Sequence, residues 1–329
     1  MTALAPTLQA FVVERLLGQR GASPHTVAAY RDTFRLLLGF AAARTGKAPA
    51  ALDLGDLDGP LVAAFLDHLE RERGNRARTR NHRLAAIHSL FAYAARRHPE
   101  HAASIARVLA IPTKRFERTL ITYLTDAEVD ALLAACDRGT WAGRRDHALL
   151  TLAVGTGLRI SELAGLWCAD VSLGRGATVH CIGKGRKERR TPLVPVVADT
   201  LRVWLAERGG PPADPLFPAR SGGSLSRDAI EHRIAGCAAR AAEQCPSIRA
   251  KHVTAHVLRH TTAMRLLLAG VDVSVIALWL GHEQLTTTGV YLQADLSQKE
   301  RAIARVAPPG TRPGRYRAPD QLLAFLEGL

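Results

Sequence analysis

Across most of this 329-residue chain, apolar side chains recur at every third or fourth position, and they alternate in only one short stretch. The first spacing belongs to a helix buried on one face, the second to a half-buried strand. The chain is thereby constrained to a mainly α fold with a small β-sheet. Residues 1–112 read as helical throughout. The first twenty, MTALAPTLQAFVVERLLGQR, lack a basic leader and read as an amphipathic helix, not a secretory signal. Ser23-Pro24 supplies an N-cap and a first-turn proline, and Val27, Tyr30, Phe34 and Leu37/Leu38 form the stripe that follows. Further amphipathic stretches occupy residues 61–71 and 78–97, the latter carrying Leu84, Ile87, Phe91 and Ala94.

Residues 112–122 lack periodicity, follow a proline and carry Lys114, Arg115 and Arg118, which marks a basic linker. Thr125-Asp126-Ala127-Glu128 then reads as a helix start with acidic first-turn residues. The helical pattern runs on through Leu152, is broken at Gly155-Thr156-Gly157, and resumes near Ile160. Residues 177–182 and 189–194 are β-rich around Gly183-Lys184-Gly185, the signature of a hairpin with a basic tip. Helices return from Ala198. A Pro/Gly-rich tether at residues 308–319 leads to a short apolar helix at 320–329. The expected organisation is a helical domain at 1–112, a linker at 113–122, a mixed domain at 123–306, and a tether with helix at 307–329.

Charge narrows the partner. Forty-four basic against 30 acidic residues leave +14, a field that attracts polyanions. Nucleic acid comes first, ahead of anionic membrane and plain solubility. Aromatic residues are only 5%, too few for a platform that stacks single strands, so double-stranded DNA held by its phosphates fits better. Six arginines and one glutamate crowd residues 71–83. Their surplus over acidic residues favours a DNA-facing helix over a solvated face. The candidate contacts are Arg76, Arg78, Thr79, Arg80, His82 and Arg83. No run of 18 apolar residues occurs, so no membrane span is expected. Five scattered cysteines without CxxC spacing suggest neither a disulfide framework nor a zinc site, and point to a reducing cytoplasm.

Five segments occur in order: GTGLRISELAGL at 155–166, GKGRKERRTPL at 183–193, HVLRH at 256–260, LGH at 280–282, and Tyr291 nine residues later. Together they resemble the catalytic motifs of the tyrosine recombinases, the phage-integrase and Xer-like family. The resemblance extends to the N-terminal half, through SPHTVAAYR and RTRNHRLAAIHSLFAYA. It implies a SAM-like core-binding domain followed by a mixed α/β catalytic domain, the two closing around duplex DNA. It also implies Arg159, Lys184, His256, Arg259, His282 and Tyr291 as the catalytic set. The tyrosine would form a 3′-phosphotyrosyl bond, the arginines would clamp the scissile phosphate, and the hairpin lysine would protonate the leaving 5′-oxygen. The bond energy stays in the covalent link, so neither ATP nor a metal is implied, and no cofactor is expected.

The residue types make chemical sense unaided. A phosphodiester gains negative charge in its transition state, which preorganised cationic donors stabilise. Arginine offers a planar fork to phosphate oxygens. A phenol with a pKa near 10 needs a base at the moment of attack, and His256 is the candidate. Each residue also has a plain alternative. Arg159 suits a helix-terminus ion pair, Lys187 rivals Lys184, and Tyr291 suits an interface. His256 and His260 form at most half a metal site, and Glu162 either orients active-site groups or holds its helix. Gln293 stands where many relatives carry a histidine. The resemblance further implies four protomers on two sites, with related recombinases or accessory proteins as further partners. A mobile-element integrase or resolvase is the first expectation and a host Xer-type recombinase the second. A type IB topoisomerase and a non-catalytic DNA-binding protein are the rivals.

Overall fold

The computed structural model describes residues 2–116, 121–183 and 187–281. The chain divides into two units, Met1–Arg118 and Thr119–Leu329.

The first unit is all helical. Helix α1 (Leu4–Ala10) runs into a π-helical segment, Phe11–Gln19, followed by α2 (Pro24–Thr45), α3 (Gly59–Arg71), α4 (Ala77–Ala94) and α5 (Ala102–Leu109). Ser23 caps α2 by accepting from the Thr26 N–H at 3.3 Å, with Pro24 in the first turn. The core joins Leu37 and Leu57 to Phe65, Leu66 and Leu69 of α3, Leu84, Ile87 and Phe91 of α4, and Ile105 and Val108 of α5. A smaller aromatic cluster holds the amino-terminal helix, with Phe11 edge-on to Phe34 and to Tyr93.

Helix α4 corrects one sequence expectation. Arg76, Arg78, Thr79 and His82 are exposed, and Arg83 is half-buried. Arg80, expected to meet DNA, is only 6% exposed. Position 80 lies one turn before Leu84 on the stripe that continues through Ile87, Phe91 and Ala94, so its side chain points inward. Its Nη1 donates to the Pro112 carbonyl at 3.2 Å, and its Nε lies 3.7 Å from Glu70. Next to it, the Asn81 amide exchanges hydrogen bonds with the backbone of Lys114 at 2.7 and 3.0 Å, while Lys114 Nζ pairs with Glu70 at 2.6 Å. The start of the expected linker is thus strapped to α4 by side chains of the basic segment itself.

The second unit contains α6 (Asp126–Ala134), α7 (Trp141–Thr156), α8 (Ile160–Ala164), strands β1 (Val171–Ser172), β2 (Thr178–Ile182) and β3 (Glu188–Pro192), then α9 (Pro195–Arg208), α10 (Arg227–Gln244), α11 (Ala255–Leu268) and α12 (Val273–Leu280). The strands form one antiparallel sheet in the order β1-β2-β3, with Val179 opposite Thr191. Thr125 and Glu128 form a reciprocal capping box at the start of α6. Helix α7 is central: its residues from Ala148 to Val154 are all buried, and it packs on α9 and α11. Trp204 of α9 is also buried, its indole N–H donating to the Leu216 carbonyl at 2.9 Å.

The helical pattern read as continuous through Leu152 is two helices. Thr140 caps α7 by accepting from the Gly143 N–H. The chain folds back so closely there that a Cβ on Gly143 would lie 1.8 Å from the Asp137 carbonyl oxygen. Strand β1, two residues long, was too short to show an alternation. Gly143→Ala is expected to lower the stability of the second unit by about 1–3 kcal/mol, the usual cost of overpacking. Urea denaturation followed by tryptophan fluorescence measures this, and an unchanged midpoint would contradict the close approach.

Candidate active site

Two arginines about a hundred residues apart in sequence converge on one turn. Arg159 occupies the N-cap position of α8, directly after the turn that ends α7. Its Nη2 donates to the Gly281 carbonyl at 2.9 Å. Arg259, on the buried side of α11 and 4% exposed, donates from Nη1 to the Gly157 carbonyl and from Nη2 to the Leu280 carbonyl, each at 2.6 Å. Both guanidiniums are therefore fixed by backbone carbonyls at the end of α7 and the end of α12. Fixing them before any ligand arrives removes the entropy cost of aligning two long side chains. Arg159 keeps a third of its side-chain surface exposed, so a ligand can reach it.

A buried carboxylate organises this centre. Glu162, 5% exposed, accepts from the Arg159 backbone N–H at 2.7 Å and from Arg159 Nη1 at 2.9 Å. Arg189 of β3 grips the same carboxylate with both Nη atoms, at 2.9 and 2.8 Å. Burial pushes the Glu162 carboxyl up. The Arg189 hydrogen bonds, the Arg159 backbone N–H, the Arg189 charge and the Arg159 side-chain hydrogen bond outweigh that and hold it below the ordinary carboxylate range. Glu162 therefore stays charged and sets the direction of the Arg159 fork. The geometry shows Glu162 bonded to the Arg159 fork and closing the capping box of its own helix.

Arg189 was not singled out in the sequence. A signal for it exists: Thr191 is the buried residue of β3, and Arg189, two positions earlier, shares its face. A cation on the inward face of a strand requires an acidic partner, and Glu162 is that partner. Arg189 also passes close to the end of α12. Gly281 has φ +65, and a Cβ there would come within 2.7 Å of Arg189 Nη1, so glycine is needed on both counts.

The hairpin is rooted at the same place. The Gly183 N–H donates to the Lys187 carbonyl at 2.8 Å, and a Cβ on Gly183 would meet Glu162 Oε1 at 3.3 Å. Lys184 follows Gly183 in the chain. Lys184, His282 and Tyr291 lie outside the described residues. His256 stands exposed in the first turn of α11, one turn before Arg259. The His260 ring meets it edge-on, with centroids 4.1 Å apart. Burial, then the neighbouring His256 and Arg259, push the His260 imidazole down to about 4. Among the described residues, no three His, Cys, Asp or Glu side chains gather as metal ligands.

Two outcomes follow from these charges. Arg189→Met removes one partner of a buried pair and is expected to cost about 3 kcal/mol in urea unfolding, against less than 0.5 kcal/mol if the pair is idle. His260 is neutral when folded, whereas in the unfolded chain it takes up a proton near 6.5. Stability is thus expected to fall as pH drops from 6.5 towards 4, and less so in His260→Gln. An NMR titration showing the His260 ring protonated at pH 6 would contradict this.

The profile of the phage integrase family matches residues 122–298, and that of the phage integrase N-terminal SAM-like domain matches residues 8–98. An integrase/recombinase of Sinorhizobium fredii is 53% identical over 326 residues, 99% of this chain and 98% of the relative. The tyrosine recombinase XerC of Rhodospirillum centenum is 35% identical over 301 residues, 90% of this chain and 85% of the relative. Among solved structures, the Tn1549 transposon integrase with transposon right end DNA superimposes with a TM-score of 0.69 at 19% identity, covering 94% of this chain and 100% of the other. XerH recombinase bound to its difH substrate gives 0.64 at 24% identity, covering 88% and 81%. These superpositions show that the chain shares its fold with these structures. By profile match and by similarity over almost its whole length, this chain belongs to the phage integrase family of tyrosine recombinases.

Proposed function

We propose that this protein is a site-specific recombinase that cuts and rejoins duplex DNA through a 3′-phosphotyrosyl intermediate. The observation that carries the reading is the convergence on one turn of Arg159, aimed by Glu162, and Arg259, held by the Gly157 and Leu280 carbonyls, with Gly183 beside Glu162. Two fixed guanidiniums suit the two non-bridging oxygens of one phosphodiester.

In this mechanism the Tyr291 oxygen attacks the scissile phosphorus as His256 takes the phenolic proton. The bond from phosphorus to the 5′-oxygen breaks, and Lys184 gives that oxygen its proton. Arg159, Arg259 and His282 stabilise the charge that builds on the phosphate. A 5′-hydroxyl from another strand reverses the step. Each proton transfer is worth about 10²–10⁴-fold in rate.

Duplex DNA is held in part by the exposed residues at the start of α4: Arg76, Arg78, Thr79 and His82, with Arg83 beside them. Arg80 serves the fold instead. The working organisation is a helical domain at 1–112, a linker at 113–122, a catalytic domain at 123–306 and a C-terminal tether at 307–329. The expected C-terminal helix lies outside the described residues. Four protomers acting on two sites is the assembly this reading requires, in keeping with the lambda integrase tetramer bound to a Holliday junction. Among the described residues no helix is long and apolar enough to cross a membrane. A cytoplasmic location suits a protein that works on DNA.

Integration or resolution of a mobile element is the favoured task, supported by the 53% identical integrase/recombinase. Chromosome-dimer resolution is the second reading, supported by the 35% identity to XerC. Sequencing recombination junctions in cells carrying the protein separates them, because element ends mark the first and a single chromosomal site the second. The chemistry is tested on a nicked suicide duplex. Wild-type protein is expected to become covalently trapped and Tyr291→Phe to bind without trapping. Trapping by Tyr291→Phe overturns the assignment of the nucleophile.

A further inference from the structure

The catalytic unit buries a second reactive pair away from the phosphate site. Cys136, two residues beyond the end of α6, and Cys237, within α10, are both buried, and their sulfur atoms lie 3.6 Å apart. All five cysteines are free thiols. A disulfide needs its sulfurs at about 2.05 Å, so side-chain rotations that close roughly 1.5 Å would join these two. Helices α6 and α10 already pack against each other, so the backbone has little distance to cover.

Arg240, one turn after Cys237, completes the arrangement. Its Nη2 donates to Cys237 Sγ at 3.2 Å and its Nε donates to the Ala135 carbonyl at 2.9 Å, beside Cys136. Arg240 is itself exposed, so the sulfur pair sits one guanidinium below the surface. A hydrogen bond from Cys136 and the Arg240 charge hold the Cys237 thiol below its ordinary range despite burial, while Cys136 is pushed up. The other cysteines lack this setting. Burial raises Cys168, and it pushes Cys181 up to about 11.

We infer that Cys136 and Cys237 form a redox modification site, closed to a reversible disulfide by hydrogen peroxide. The Cys237 thiolate attacks the peroxide oxygen, the O–O bond breaks, and one water leaves after protonation, giving a sulfenic acid. The Cys136 sulfur then attacks the Cys237 sulfur and displaces a second water. Two thiols are oxidised and one peroxide is reduced. The closed bond ties α6 to α10 and encloses in its loop both Arg159 and Arg189.

The test treats the full-length protein with hydrogen peroxide, blocks remaining thiols with iodoacetamide under denaturing conditions, and maps tryptic peptides without reduction. Residues 119–138 and 234–240 are the tryptic peptides, each with one cysteine. A linked pair of these peptides that rises with peroxide and disappears with dithiothreitol is expected. The oxidised protein should melt several degrees higher, since the link closes a long loop. Arg240→Gln should slow linkage on the order of tenfold by weakening the thiolate. Recovery of both cysteines fully alkylated, or of Cys237 as sulfinic acid without the link, overturns the proposal. Because this mapping is done on the wild-type chain, the result does not depend on any variant folding, and DNA cleavage plays no part in it.

Discussion

A single buried carboxylate, shared between two guanidiniums, holds the catalytic unit in the form that its chemistry requires. Glu162 carries a charge that the interior would reject alone, and Arg189 and Arg159 make it tolerable. Each partner comes from a different element: Arg189 from the sheet, Arg159 from the start of α8. The carboxylate therefore joins the hairpin to the start of α8. Arg159 also donates to the Gly281 carbonyl, so the end of α12 is tied to the same point. The sheet, the start of α8 and the end of α12 thus meet at one ionic knot.

That knot explains why the outer arginine can be both ordered and open. An exposed arginine normally samples many rotamers, and ordering it on binding costs free energy. Here Arg159 is held on one side by Glu162 and the Gly281 carbonyl, while a third of its side chain faces solvent. Arg259 is held more deeply, by the carbonyls of Gly157 and Leu280. On the proposed reading, this prior ordering is the electrostatic preorganisation that phosphoryl transfer demands.

Much of this was legible in the sequence, because the features concerned are local. Ser23-Pro24 and the Thr125–Glu128 box start helices through contacts within one turn, and the β-rich flanks of Gly183 form the hairpin in antiparallel register. What escaped depends on non-local contacts. Arg80 sits in an arginine-rich run that reads as a surface, yet its position on the α4 stripe turns it towards the Pro112 carbonyl, an acceptor 32 residues away. Arg189 looks like one more basic residue of the hairpin until the sheet brings it to Glu162. The break between α6 and α7 is the local exception: it is marked by the Thr140 cap and the tight fold-back at Gly143, which apolar spacing alone does not register.

The central claim is that Arg159 serves to offset charge on the scissile phosphate. It is tested most directly with a suicide duplex in which that phosphate is replaced by a neutral methylphosphonate. On the natural duplex, Arg159→Ala should slow single-turnover cleavage by about 10²–10³-fold relative to wild type, the usual loss of one such donor. On the neutral duplex, where that charge is gone, the two proteins should cleave at rates within about tenfold of each other. An equal penalty on both duplexes would mean that Arg159 acts on something other than phosphate charge, and would contradict the account.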